Sequence, residues 1–366
     1  MVILQIIYNL APGGAERFVV DLCNELSHNN NDEIHLLTTN TDEIPNNKHY
    51  LEHLLPNVHY RNLGAKSGFS FKSIWGVYKM IKEIKPDIVH LHSNLILLFP
   101  PAFLCRNVNF IHTLHTLAEK TVTIKALKPA YRYLYKKKVQ PVTISSQCDR
   151  SYIEFYGMRN SIHIDNGRSP IETTQELNSV YEEIKKYTNN KDIPIYIHVA
   201  RYAEPKNQKL LFDTFNRLHD NGKEFLLIVL GSGFERSPYM HLNETSHIKI
   251  LGAKQNVGDY LACADYFVLS SLYEGLPISL LEAMSMGCIP ISTPAGGVVD
   301  VIRNGENGLI SPSFTEDDFY NTVNKSFGKI TIKKDDIKEN YRNNYTIEVC
   351  TNKYYETYLN ILNRKS

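Results

Sequence analysis

"DYFVLSSLYEGLPISLLEAMSMGCIPIST", residues 265 to 293, reads as a strand, a turn, a helix and a second strand. The runs "YFVL" and "CIPI" have the length and apolar content of buried strands, and Ile278, Leu280, Leu281, Ala283 and Met284 make the segment between them a mostly buried helix. Pro277 suits its first turn and Gly287 its end. Strands that are apolar almost throughout suit a parallel sheet covered on both faces. Two carboxylates interrupt the pattern: Glu274 at the strand exit and Glu282 inside the helix, with seven residues between them. Glu282 lies among Leu280, Leu281 and Ala283, where an unpaired carboxylate is costly, and that favours a ligand over a solvated residue.

The same rhythm runs outward in both directions. Ahead of this stretch lie "IPIYIHVARY", "FLLIVLGSG" and "IKILGA", and after it "NGLISP". The first half repeats the scheme with "VILQIIY", "EIHLLTT", "DIVHLHS", "NFIHTLH", "PVTISS" and "SIHIDNG". After its first strand, "GGAERFVVDLCNELSHN" carries Phe18, Val19, Leu22, Cys23 and Leu26 at helical spacing. The polar stretch 171–192 separates the two series and reads as a linker. The fold expected is therefore α/β, with one doubly wound Rossmann-like domain over 1–170 and another over 193–345.

Bulk properties narrow the function. The chain has 366 residues, enough for two domains, and its net charge of +1 gives no broad field for nucleic acid. Six scattered cysteines with no C-x-x-C read as buried thiols in a reducing compartment. The longest apolar run, "LILLFPPAFLC", is broken by Pro100 and Pro101 and falls short of a membrane span, and the first residues lack a basic leader pattern. A cytoplasmic protein is expected.

Ligands of such sheets bind beyond the carboxyl ends of the strands. There the sequence places Gly13 and Gly14, before a helix expected to open at Ala15, which suits close backbone approach to an anion, though a plain turn reads the same way. Gly275, Leu276 and Ile278, around Pro277, offer backbone N–H groups to an anion or to sugar hydroxyls. In "VARYAEPKNQKLL", Arg201 ends a strand and Lys206 stands at the expected start of a helix, and both suit phosphate oxygens. Carboxylates for hydroxyls and cations for a diphosphate describe a nucleotide sugar. The bland alternatives are a helix cap for Glu274 and surface charges for the cations.

"GGAER", "VARYAEPKN", "LGSG", "ILGAKQNVGDYLACADYFVLSSLYEGLPISLLEAMSMGCIPIST" and "GGVVDVIRNGENGLI" together resemble, in order and spacing, the retaining GT-B glycosyltransferases of family 4. The resemblance spans most of the chain and is densest from about 194 to 310. It implies two Rossmann-like domains facing across a cleft, the first on the acceptor side and the second on the donor side, with residues 346–366 as a helix crossing back to the first. It implies that Glu282 holds the ribose hydroxyls and that Glu274 with the turn amides holds the donor sugar. Arg201 and Lys206 then grip the diphosphate, Gly13 and Gly14 close over the phosphates and sugar, and His115 touches the sugar near the reacting carbon. Base contacts fall on the backbone near "LGAKQNV", Asn256 and Val257 among them. Ala200, Arg168 and Ser169 depart from the family pattern.

The activity implied is retaining transfer of a hexose or N-acetylhexosamine, from a UDP-sugar first and a GDP-sugar second, to a saccharide or lipid-linked acceptor in surface polysaccharide or glycolipid synthesis. No D-x-D motif occurs, so neither a metal nor another cofactor is expected. A zinc site among His90, His92, His112 and His115 is disfavoured because acidic and cysteine co-ligands are missing from both stretches. A nicotinamide oxidoreductase is disfavoured because "NLAPGG" is not G-x-G-x-x-G. A GT-B epimerase or phosphorylase, or a non-catalytic sugar-nucleotide scaffold, stands as the alternative. Finally, residues 123–140, "TIKALKPAYRYLYKKKVQ", interleave six basic residues with aromatics, which suits peripheral contact with an anionic membrane face, or equally a solvated helix face.

Overall fold

The computed structural model describes residues 1–66, 70–122 and 124–364; Thr123 and the last two residues of the expected 346–366 helix lie outside it. The chain forms two compact units, Met1–Arg168 with Tyr345–Ser366, and Ser169–Asn344.

The first unit carries a seven-stranded sheet: β1 (Val2–Ile7), β2 (Glu33–Asn40), β3 (His59–Ala65), β4 (Ile88–Leu91), β5 (Asn109–Leu114), β6 (Val139–Thr143) and β7 (Ile162–His163). Its order is β3-β2-β1-β4-β5-β6-β7 and every pairing is parallel. The central strands are buried along their length, as their apolar runs require. β3 is an edge strand that the sequence reading missed, because "HYRNLGA" is half-exposed and polar. It is held by side chains instead: the Tyr60 hydroxyl donates to Asp42 at 2.6 Å, and Asn62 donates to Thr38 at 2.7 Å.

The second unit carries β8 (Ile195–Val199), β9 (Leu226–Leu230), β10 (Ile248–Gly252), β11 (Tyr266–Leu269), β12 (Ile289–Ser292) and β13 (Leu309–Ile310) in the parallel order β10-β9-β8-β11-β12-β13. In each sheet the chain starts in the interior and winds both ways. The strand order therefore reverses between β1 and β4 in one unit and between β8 and β11 in the other, and such switch points are where crevices open at strand ends.

The stretch 171–192 is not a linker. Leu177–Tyr187 is a helix of the second unit that buries Val180 and Ile184, four residues apart on one face. Just before it, Thr174 donates through its backbone and its hydroxyl to the buried carboxylate of Asp259, at 2.6 and 2.7 Å. Leu177, Val180, Tyr181 and Ile184 recur at helical spacing, a pattern that the sequence reading passed over among the surrounding Glu, Lys and Asn.

The last helix, Ile347–Asn363, packs in the first unit. Its entry is fixed by a parallel bridge between Arg168 and Thr346. A side chain at Gly167 would meet the Thr346 carbonyl at 2.5 Å and Cys350 at 2.6 Å, so the close approach requires glycine. Tyr354 and Tyr358 of this helix are fully buried.

Candidate functional site

In the second unit the loops leaving β8 and β11 meet at the switch point. Lys206 Nζ lies 2.7 and 3.0 Å from the two carboxylate oxygens of Glu274, and the Ser271 hydroxyl donates to Glu274 Oε1 at 2.6 Å. Backbone bonds lace the loops together: Leu272 N–H donates to the Pro205 carbonyl at 2.8 Å, and the Ser270 hydroxyl to the Lys206 carbonyl at 2.9 Å. Underneath, Gly231 follows β9 at φ 145°, and any side chain there would drive into the Ala200 carbonyl. The sequence reading named Lys206 and Glu274 for separate ligand groups; their pairing with each other, and the part of Ser271, were not foreseen.

Arg201 lies on the same loop, exposed, with no ion pair among the described residues. Strand β8 ends at Val199, so Arg201 is two residues past its end rather than on it. Lys206 closes a short 3-10 turn, Glu204–Lys206, and the helix begins only at Gln208, after Asn207 in the left-handed region at φ 48°. It is therefore a loop lysine and not a helix-start residue.

Pro277 is the N-cap of the helix Ile278–Met286, which ends at Gly287 in the left-handed conformation. Gly275 and Leu276 precede it, Ile278 is its first residue, and Glu282 sits one turn in, partly buried. On the loop after β10, the Asn256 side chain is committed to Glu176 at 2.9 Å and Asp259 at 3.1 Å, and Val257 opens the short helix Val257–Ala262. What Asn256 and Val257 offer a ligand is backbone.

In the first unit Gly13 caps the helix Gly14–Leu26, which begins one residue earlier than the sequence suggests. Gly13 is extended, and its missing side chain leaves room for the Glu16 carboxylate. Phe18 of this helix packs edge-on against His115, ring centroids 5.6 Å apart. His115 Nε2 is 3.0 Å from His92 Nδ1, His92 Nε2 is 2.8 Å from Gln5 Oε1, and the Gln5 amide donates to the Tyr358 hydroxyl at 3.1 Å. Tyr358 also bonds His90 Nδ1 at 2.7 Å, and His90 Nε2 lies 2.7 Å from the Thr113 hydroxyl. His112 faces elsewhere, between the Tyr135 hydroxyl and the Ser93 carbonyl. These histidines are thus held by hydroxyls, an amide and a carbonyl. Burial pushes the His115 imidazole down to about 3, helped by His112, so it is neutral at physiological pH.

Beside this network, beyond the ends of β1, β2 and β4, a cavity of about 250 Å³ is lined by Tyr8, Asn40, Asn94, Ile96, Leu127 and Tyr131, among others. The sequence reading named Leu127 and Tyr131 as part of the basic and aromatic segment and none of the others, because they come from separate elements and share no motif.

Two Rossmann-like units, the second with a paired lysine and carboxylate in its strand-exit loops, define the class of doubly wound α/β proteins, whose ligands bind at the switch point. Comparison with known proteins narrows it. The profile of Glycosyltransferase Family 4 matches residues 12–167, and that of Glycosyl transferases group 1 matches residues 180–344. The chain belongs to the group 1 glycosyltransferases and has their GT-B fold. An uncharacterized glycosyltransferase of Methanocaldococcus jannaschii is 29% identical over 61% of this chain and 59% of its own length. The capsular polysaccharide biosynthesis glycosyltransferase CapH of Staphylococcus aureus is 25% identical over 98% of both chains. The Escherichia coli UDP-Gal:alpha-D-GlcNAc-diphosphoundecaprenol alpha-1,3-galactosyltransferase is 25% identical over 69% of each. In fold, the chain superposes on Anabaena HepE, crystallised with UDP and glucose, at a TM-score of 0.76, with 16% identity over 98% of this chain and 99% of that one. Among the described residues, no helix is long and apolar enough to cross a membrane.

Proposed function

We propose that this chain is a retaining hexosyltransferase that moves a hexose or N-acetylhexosamine from a nucleotide sugar, a UDP-sugar ahead of a GDP-sugar, to a saccharide or lipid-linked acceptor in surface polysaccharide or glycolipid synthesis. The observation that carries it is the Lys206–Glu274 pair at the β8/β11 switch point, with Arg201 on the same loop. Lys206 and Glu274 neutralise each other in their ion pair. With donor, Lys206 and Arg201 take the diphosphate and Glu274 takes sugar hydroxyls. Glu282 takes the ribose, the backbone of Gly275 to Ile278 the sugar, and the backbone of Asn256 and Val257 the base. Gly13, Gly14 and His115 contribute contacts to phosphates and sugar.

In the reaction the bond from the anomeric carbon to the diphosphate oxygen breaks, and a bond to the acceptor oxygen forms on the same face. The acceptor's proton passes to the departing phosphate. Negative charge grows on the diphosphate as this happens, and fixed cations and N–H dipoles lower the barrier by stabilising it. In this reading they do so without a metal, and turnover persists in a chelator. The UDP and diphospholipid in the names of the relatives support the donor and acceptor proposed. The cavity in the first unit supports an acceptor site there. The exposed basic face of the helix Lys128–Lys137 supports peripheral contact with an anionic membrane at the cytoplasmic side.

The test is a thermal-shift panel of nucleotides and nucleotide sugars followed by turnover of the donor selected. UDP should raise the melting temperature more than GDP. Arg201→Ala and Lys206→Ala should each lower turnover about a hundredfold with the fold intact. Near-normal transfer by the double variant would refute the assignment.

A further inference from the structure

The hydrogen-bond chain in the first unit ends on an atom with no protein partner. His115 Nδ1 is buried, and none of the described residues bonds it. Gln5, on β1, stands in the middle of that chain and decides its direction, because an amide oxygen only accepts and an amide nitrogen only donates. Its oxygen is assigned toward His92 Nε2 at 2.8 Å and its nitrogen toward Tyr358 at 3.1 Å. His92 Nε2 must then carry a proton, which leaves His92 Nδ1 with a lone pair that accepts from His115 Nε2 at 3.0 Å. With its proton on Nε2, the neutral His115 has a lone pair on Nδ1. On the other side, the Tyr358 hydroxyl receives the amide hydrogen and is bonded in turn to His90 Nδ1, whose Nε2 meets Thr113. The three bonds from His115 to Tyr358 point the same way.

We propose that Gln5, acting through His92 and held by Tyr358 of the last helix, fixes His115 as the Nε2–H tautomer, so that Nδ1 stands as a hydrogen-bond acceptor for a hydroxyl of the donor sugar. The inference rests on the reading of His115 as a sugar contact. Gln5, His92 and Tyr358 are positioning residues; only His115 meets the substrate. The arrangement suits the chemistry, because the sugar carbon gains positive charge as the diphosphate leaves. A neutral acceptor turns the negative end of its dipole toward the sugar, whereas an imidazolium would oppose that charge. The suppressed basicity of the buried ring keeps it neutral. Turning the Gln5 amide over would reverse these three bonds and make Nδ1 a donor, so the direction is what an experiment must read.

Nitrogen-15 NMR of the histidine rings in the whole protein at neutral pH reads it directly. The expected spectrum gives His115 as one tautomer, protonated at Nε2 and bare at Nδ1. A proton on Nδ1 overturns the inference and leaves the functional reading standing. Gln5→Met and Tyr358→Phe should then give His115 mixed tautomers, with kcat for the donor that the wild-type chain turns over falling on the order of tenfold, the scale of one hydrogen bond, and UDP affinity unchanged. Transfer that needs His115 yet ignores its tautomer in these variants also overturns the inference alone. Full transfer by His115→Ala removes the sugar contact itself, and the functional role of the tautomer with it. If the variants fail to fold, the wild-type spectrum still decides the direction.

Discussion

Arg168 is a charge held away from water, and Asp21 is the reason it stays there. Its Nη1 lies 2.7 Å from Asp21 Oδ2, Arg17 Nε lies 3.2 Å from Oδ1, and both Arg168 and Asp21 are buried. Arg168 was noted in the sequence as a departure from its family's pattern, and the buried partner accounts for it. Removing one member of such a pair strands the other in a low-dielectric setting, so Asp21→Ala should cost about 3–5 kcal/mol. The exposed pair Arg303–Glu306, at 2.7 Å, is the control: Glu306→Ala should cost under about 1 kcal/mol. Urea unfolding followed with one probe in the first unit for Asp21→Ala and another in the second for Glu306→Ala checks both, and equal losses of stability would remove the distinction drawn between them. Asp21 and Arg168 are 147 positions apart, Lys206 and Glu274 are 68 apart, and Gln5 and His92 are 87 apart. Reading the residues near strand exits found Lys206 and Glu274, and the family resemblance supplied His115. Neither had access to the pairings, which exist only after the sheets bring distant strand ends together.

The helix Lys128–Lys137 divides its residues sharply between two faces. Tyr131, Leu134 and Tyr135 are buried in the first unit's core, whereas Arg132, Tyr133, Lys136, Lys137 and the following Lys138 are exposed. Most of the aromatics that suggested a membrane-facing surface are therefore core residues, and only Tyr133 is outside. It stacks on Phe103 at 6.0 Å, and Phe103 meets Phe99 at 5.5 Å, so an exposed apolar group adjoins the cations. Basic residues beside exposed rings suit an anionic lipid surface, each cation contributing on the order of 1 kcal/mol. Vesicles containing anionic lipid should bind the protein at low salt and release it as salt rises. Replacing Lys136, Lys137 and Lys138 with glutamate should abolish that binding without slowing donor turnover; binding that survives the reversal excludes this helix. At this scale the sequence was most legible where strands are apolar throughout: all six strands of the second unit and six of the seven in the first stand at the runs that announce them. β3 was missed because an edge strand buries few side chains, whereas Leu177–Tyr187 carries Leu177, Val180, Tyr181 and Ile184 at helical spacing and was passed over for its polar composition.

Across the whole molecule, both units keep neutral histidines inside, and acid should find them. Burial holds His112 on β5, His198 on β8 and His247 down to about 4, against an ordinary value of 6.5, and His115 to about 3. His198 donates through Nδ1 to the Val268 carbonyl at 2.8 Å, and His112 spends one nitrogen on the Ser93 carbonyl and the other on Tyr135. Among these rings His112 alone has both nitrogens bonded by the described residues, and on any of them a second proton would bring a charge that burial disfavours. In the unfolded chain the same rings take up protons below about pH 6.5. Between about pH 6.5 and 4 the unfolded state therefore binds more protons than the folded one, and stability must rise with pH across that window. The contribution is complete above about 6.5 and is lost as pH falls toward the folded values. The melting temperature should accordingly be nearly flat from pH 8 to 7 and decline from about 6.5 downward, before most carboxylates titrate. Calorimetry near pH 5.5, in buffers of different ionisation heat, should show net proton uptake on unfolding of about three or more. Because the histidines lie in both units, both unfolding transitions should shift, and His198→Asn should flatten the dependence of the second unit alone. A melting temperature unchanged between pH 7 and 4.5 would mean that these rings take up protons in the native fold as readily as in the unfolded chain, so that burial does not hold them neutral.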